Sequence, residues 1–189
     1  MSLAKQKLQE IHFARSPEGQ ALAAQQSAHL ALLKKFYSAF QERDGLTMAA
    51  CYHSQAQFQD PAFGTLHGAD IGLMWRMLCE RAQDFMLFYS DVDANAQLGS
   101  VTWVARYRFA QTGRQVVNEI QATFEFKDGL IYRHADVFDF PLWARQALGP
   151  LGRWLGWTPW LRYKVRRAAR ASLSQYRASA MSAQSLIPN

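Results

Sequence analysis

The stretch IYRHADVFDF, residues Ile131–Phe140, decides how the rest of the chain is read. β-Branched and aromatic residues recur in it, Lys127-Asp128-Gly129 before it is a turn signal, and Pro141 closes it. Together these predict a strand over Leu130–Phe140. Alternation puts Tyr132, His134, Asp136, Phe138 and Phe140 on one face, with Ala135, Val137 and Asp139 on the other. An imidazole and a carboxyl two residues apart on one apolar face are costly unless they pair or meet water. Their Cβ atoms lie ~6–7 Å apart on an extended strand, close enough for a direct or water-bridged contact. Two readings stay open: a buried hydrogen-bonded pair, or the wall of a pocket.

Upstream of this strand the period is also two. Phe85–Ala94, Ser100–Gln111 and Val116–Lys127 read as strands, with hairpin turns at Thr112-Gly113-Arg114 and Asp128-Gly129. Arg106 and Arg108 fall on the polar face of their strand and are expected to pair with Glu119 or Glu125 across it. Before the strands the period is helical. Gln25–Arg43 carries Leu30, Leu33, Phe36, Tyr37 and Phe40 at three- and four-residue steps. A short helix at Leu46–Tyr52, a strand at Ala56–Asp60, a loop with Pro61 and Gly64, and a helix at Ile71–Ala82 follow. Helices followed by hairpin-linked strands predict an α+β fold, a curved antiparallel sheet wrapped around the N-terminal helices. One sheet face is so aromatic that the sheet must curl, leaving a conical cavity of the kind that binds small ligands.

This divides the chain into a polar extension at residues 1–24, a domain at 25–140, and a Trp-rich, basic helical extension at 141–189. Thr158-Pro159 predicts a helix start. Trp143, Trp154, Trp157 and Trp160 crowd the extension and are expected to plug or frame the cavity mouth. From Pro141 onward there are eight Lys/Arg and no Asp/Glu, leaving 13 basic against 15 acidic residues elsewhere. The net charge of +6 thus belongs to the tail, which argues against nucleic acid as a partner of the domain. The basic helix at 158–181 is read as a lid with a solvated face, and contact with a membrane surface is the lesser alternative. No apolar run approaches the ~20 residues needed to span a bilayer, and the N-terminus lacks an apolar signal region. Cys51 and Cys79 read as small buried residues of a reducing compartment, so the protein is expected in the cytoplasm.

The order just described, with FQDPAFGTLHG after the first helices, MWRML in the next helix and RHADVFDF in the last strand, resembles the SnoaL-like, nuclear-transport-factor-2-like superfamily over about Gln25–Phe140. The resemblance implies a cystatin-like cone that dimerises through the outer sheet face. Its members include ketosteroid isomerase, limonene-epoxide hydrolase, polyketide cyclases, dehydratases and non-catalytic binding domains, so fold does not name function. Asp60-Pro61 stands where the isomerase has its general base. The isomerase's oxyanion tyrosine falls on Phe36 and its protonated acid on Ala122, so both donors are missing and the isomerase reaction itself is disfavoured. Tyr37 stands one position past the first of these. The Asp-Arg-Asp set of the hydrolase is not evident.

The candidate catalytic residues are therefore Asp60 as general base, with His134 and Asp136 as an acid and orienter pair. The plain alternative for Asp60 is a turn residue bonding its own backbone. Phe36, Tyr37, Phe58, Phe63, His67, Trp75, Trp103, Tyr107, Ile120, Ala122 and Phe138 are expected to line the pocket. Nothing in the spacing of Asp60, His67, His134 and Asp136 enforces a metal site, and no cofactor motif is present. The expected ligand is a small apolar molecule. The expected chemistry is proton transfer of the isomerase, dehydratase or cyclase type, and the alternative is a non-catalytic ligand-binding or dimerisation domain.

Overall fold

The structure is a computed structural model that describes residue 7 and residues 12–184. The first long helix, α1, spans Pro17–Gln41 and begins well before Gln25. Ser16-Pro17 is its start signal, because the Ser16 hydroxyl accepts from the Gly19 amide at 3.1 Å and Pro17 occupies the first turn. Asp44 caps α2, Gly45–Ala50, through the Leu46 and Thr47 amides.

Six strands follow in one sheet: β1 Tyr52–Asp60, β2 Gly64–His67, β3 Gln83–Ala94, β4 Leu98–Phe109, β5 Arg114–Lys127 and β6 Leu130–Val137. Helix α3, Ala69–Arg81, separates β2 from β3. The spatial order is β2-β1-β6-β5-β4-β3. All pairs are antiparallel except β1 with β6, which run parallel. That crossover brings the end of β1 beside the end of β6, although about 75 residues of chain separate them.

Alternation along β6 is broken once. Arg133 pairs with Glu125 while Ile131 pairs with Phe126, so a bulge lies between them. Ile131 is buried in consequence, and Tyr132 leaves the His134 face to stand edge-on to His53 beneath the Lys127 ammonium. The strand also stops at Val137. Asp139 caps α4, Phe140–Leu148, accepting from the Leu142 amide at 2.9 Å. The strand arginines pair differently from expectation: Arg108 meets Asp84 at 2.7 Å, and Glu125 meets Arg133.

The concave face of the sheet closes on α1 and α3. Leu33, Phe36, Tyr37, Met48, Phe58, Ile71, Met74, Ile120 and Phe124 are almost wholly excluded from water. Each large apolar side chain so buried contributes on the order of 1.5–3 kcal/mol. Cys51 and Cys79 are buried free thiols in this core, and burial raises both of their pKa values.

A second, smaller core is built by the extension. Phe140, Trp143, Ala144 and Ala147 of α4 pack with Val116 and with Leu161 of α6, Pro159–Gln184. Between them lies α5, Pro150–Leu155. Its Gly152 has no room for a side chain, since an added Cβ would sit 1.8 Å from the Ala144 carbonyl oxygen. Helix α6 lies against α3, with Arg177 paired to Asp70 and Tyr176 donating to Glu80. Of the four tail tryptophans only Trp143 is buried. Trp154, Trp157 and Trp160 are 74%, 75% and 54% exposed, so they do not plug the cone. No helix among the described residues is long and apolar enough to cross a membrane.

Candidate functional site

The floor of the cone is a closed hydrogen-bonded network. Trp75 Nε1 donates to the Tyr52 hydroxyl at 3.0 Å. That hydroxyl lies 2.6 Å from His134 Nδ1, and His134 Nε2 lies 2.9 Å from Asp136 Oδ1. Trp103 Nε1 reaches the same carboxylate oxygen at 3.4 Å. An indole N–H can only donate, so Tyr52 accepts from Trp75. Its own proton then has His134 Nδ1 as its acceptor. This assignment leaves the imidazole proton on Nε2, donating to Asp136, and every donor in the chain points toward that carboxylate. Phe36, Phe58 and Phe124 surround the His134 ring at centroid distances of 5.8, 5.0 and 4.3 Å.

The open reading of His134 and Asp136 is thus resolved in geometry. They form a direct buried pair, and both ring nitrogens are occupied. Asp136 differs: among the described residues its hydrogen bonds fall on Oδ1, and Oδ2 receives none.

Asp60 joins this pair through the parallel register. Phe58 pairs with His134 and Gln59 with Ala135, so Asp60 follows beside Asp136 on the inner face. Asp60 Oδ1 accepts from the Phe63 amide at 2.5 Å, which is the turn role its Asp-Pro sequence allows. It is partly buried, and burial pushes its carboxyl up to about 7. The backbone amides of Phe63, Ala62 and Gly64 oppose the shift, and the Asp136 charge adds to it.

Two further hydroxyls feel these carboxylates, Tyr37 that of Asp136 and Tyr107 that of Asp60. Tyr37 is fully buried, and its oxygen is the one buried side-chain polar atom without a hydrogen-bond partner among the described residues. Burial first, then the Asp136 charge, raises its pKa well above the ordinary value. Tyr107 accepts from Trp143 Nε1 at 2.8 Å; burial is the main cause that lifts its pKa to about 12, and the Asp60 charge adds to it.

The remaining expected residues divide cleanly. Phe36, Phe58, Phe63, Trp75, Trp103, Ile120 and Ala122 are buried on the inner face, and Phe138 stands partly buried at its edge. Phe36, Phe58 and Trp75 pack the floor around His134, while Trp103 reaches Asp136 and Phe138 packs against Trp143. His67 is not among them: it is exposed at the end of β2, opposite Gln57 on the outer face. No group of three or more His, Cys, Asp or Glu among the described residues is placed to hold a metal ion.

Sequence reasoning missed Tyr52 and the Trp143–Tyr107 bond. Tyr52 opens a strand whose first residues showed no clear alternation, and its partner lies 82 positions away. It also missed what anchors the Asp60 loop. Arg166 Nε donates to the Pro61 carbonyl at 3.2 Å, and Arg170 donates to the carbonyls of Phe63 and Thr65 at 2.9 and 3.0 Å. The basic helix therefore spends two of its arginines holding that loop.

Comparison with known proteins places this geometry. Residues 33–134, more than half of the chain, match the SnoaL-like domain family. A protein of ketosteroid-isomerase-like fold from Catenulispora acidiphila, solved with trimethylamine, is 12% identical; the match covers 68% of this chain and 97% of that one, with a TM-score of 0.56. An epoxide hydrolase of the limonene-epoxide-hydrolase-like type from M. tuberculosis is 18% identical over 69% and 96% of the two chains, also with a TM-score of 0.56. TerC, co-crystallised with polyporic acid, is 14% identical over 65% and 99%, with a TM-score of 0.55. Comparison with curated proteins finds no match. At these identities the solved structures speak for the fold alone. The chain belongs to the SnoaL-like domain family, built on the nuclear-transport-factor-2-like, ketosteroid-isomerase-like cone.

Proposed function

We propose that the protein is a proton-transfer enzyme acting on a small, largely apolar molecule that carries one activated C–H or hydroxyl group. Asp60 is the general base. Asp136, held by the N–H groups of His134 and Trp103, maintains the basicity of Asp60 through its charge and orients it. His134 is a positioning residue between Tyr52 and Asp136, since neither of its nitrogens is open to a substrate. The hydroxyls of Tyr37 and Tyr107 are the donors available to charge that develops on substrate oxygen.

The observation that carries this reading is the Tyr37 hydroxyl. A buried donor without a partner costs about 1–3 kcal/mol, and this one lies within the field of Asp136. A bound ligand oxygen satisfies it. A base whose pKa lies near the working pH is also the efficient choice for abstracting a proton.

The test is deuterium uptake. Small cyclic ketones and phenols are incubated with the protein in D2O and followed by proton NMR. Exchange at the carbon next to the carbonyl is expected with the native chain, and a loss of about 10²–10⁴-fold with Asp60→Asn. Ligand binding without exchange in either protein would favour the non-catalytic reading, whose support is the aromatic packing of the cone floor.

A homodimer through the outer sheet face is part of the same proposal. Met86 and Phe88 on β3 and Val137 on β6 are exposed there, and apolar side chains on an open sheet face favour a partner. Phe88→Asp should halve the mass seen in sedimentation.

A further inference from the structure

The sharpest unexplained feature outside the cone is the corner where α5 turns into α6. Leu151, Trp154, Trp157, Trp160 and Tyr163 are each at least half exposed. Trp154 and Trp157 adjoin, since the Trp157 indole donates to the Trp154 carbonyl at 3.1 Å. A soluble surface rarely shows so much aromatic area in one place without a partner.

Cations border this patch. Arg114, Arg145 and Arg153 line a hollow of about 520 Å³ together with Trp154. Arg114 is held there by its bond to the Gln146 carbonyl, and Lys164 stands over the Trp160 ring. Between Asp139 and the end of the chain there is no Asp or Glu, so no carboxylate of the extension neutralises the corner. The arginines further along α6 are different. Arg166, Arg170 and Arg177 are committed to the Asp60 loop and to Asp70.

We infer that this corner docks the protein on an anionic phospholipid surface. Indole rings prefer the boundary between headgroups and acyl chains, because one edge is apolar and the other can hydrogen-bond. Trp154 and Trp157 enter that boundary, and the Arg114, Arg145 and Arg153 hollow receives a lipid phosphate beside them. Guanidinium groups suit phosphate by geometry as well as by charge. A second copy of this chain is a poor occupant, because a two-fold contact on the corner would bring arginines against arginines. The attachment is peripheral. It brings the protein to a source of apolar ligands, independently of what chemistry the cone performs.

The test is co-sedimentation of the full chain with vesicles of phosphatidylcholine alone and of phosphatidylcholine with phosphatidylserine. Binding is expected only to the anionic vesicles, weakening as salt is raised. Trp154→Ala/Trp157→Ala and Arg145→Glu/Arg153→Glu should each reduce it at least tenfold, with unchanged circular dichroism and melting. Millimolar inorganic phosphate should compete only weakly. Equal binding to both vesicle types overturns the inference. So does undiminished binding by the tryptophan variant, or duplex DNA bound by the native chain as tightly as vesicles. A concentration-dependent dimer abolished by the tryptophan variant, with no vesicle binding, would replace it with a self-interface.

Discussion

The Tyr52 hydroxyl and the His134 ring meet at 2.6 Å on the floor of the cone, across 82 positions of sequence. With the Tyr52 hydroxyl donating, that bond leaves the imidazole proton on Nε2, and it connects the start of β1 to the Asp136 carboxylate. Breaking it should be costly. His134→Ala removes the acceptor of the Tyr52 proton and one of two N–H donors to a buried carboxylate. A destabilisation of about 3–5 kcal/mol is expected, measured by urea denaturation. Tyr52→Phe removes only one end of the chain and should cost less, about 1–3 kcal/mol.

Asp60 gives stability a particular pH dependence. Its pKa is raised from 3.8 in the unfolded reference to about 7 in the fold. Between these values the native state binds more protons than the unfolded chain, so the contribution of Asp60 to stability falls as pH rises from about 4 and is lost by about 7. Asp60→Asn removes the dependence. Its melting temperature should exceed that of the native protein at pH 8, by less at pH 5, and differ little from it only below about pH 4, with each kcal/mol worth roughly 2–4 °C.

Tyr37→Phe separates binding from stability. The variant loses an oxygen that has no partner, so its melting temperature should stay level or rise. Ligand affinity, measured by calorimetry with a molecule that the native chain binds, should fall about fivefold to tenfold or more, the worth of one hydrogen bond. A fall in stability would show that the hydroxyl is satisfied within the protein.

The β1–β2 loop should loosen when its anchor is removed. Arg170→Ala deletes two charge-assisted bonds to the carbonyls of Phe63 and Thr65. Hydrogen exchange of residues 61–67 should rise. Arg170→Lys should rescue it only in part, because an ammonium lacks the planar fork.

Strands β3 to β6 were legible because each runs eight or more residues, and two of their hairpin turns carry Thr-Gly and Asp-Gly. The α1 boundary misled because Ser16-Pro17 both breaks a preceding pattern and starts a helix. Strand β2 is four residues long, too short to show a period. Tyr132 moved off the inner face because a bulge adds one residue, and a bulge leaves no mark in composition. Within the site, Asp60, His134 and Asp136 could be found by alternation and by resemblance to the family. Tyr52, Tyr107 and Trp143 could not, since their roles arise from contacts between distant segments. The exposure of Trp154, Trp157 and Trp160 went against expectation for a similar reason. Of the tail tryptophans, Trp143 is the one that joins the small core with Val116, Phe140 and Leu161.

The most direct measurement is the titration of Asp60 by carboxyl-carbon NMR, in the native chain and in Asp136→Asn. A midpoint near pH 7 is expected in the native chain, falling when the neighbouring negative charge is removed. A midpoint near 4 that does not move in the variant would mean that Asp60 is an ordinary turn carboxylate. The cone would then hold no general base.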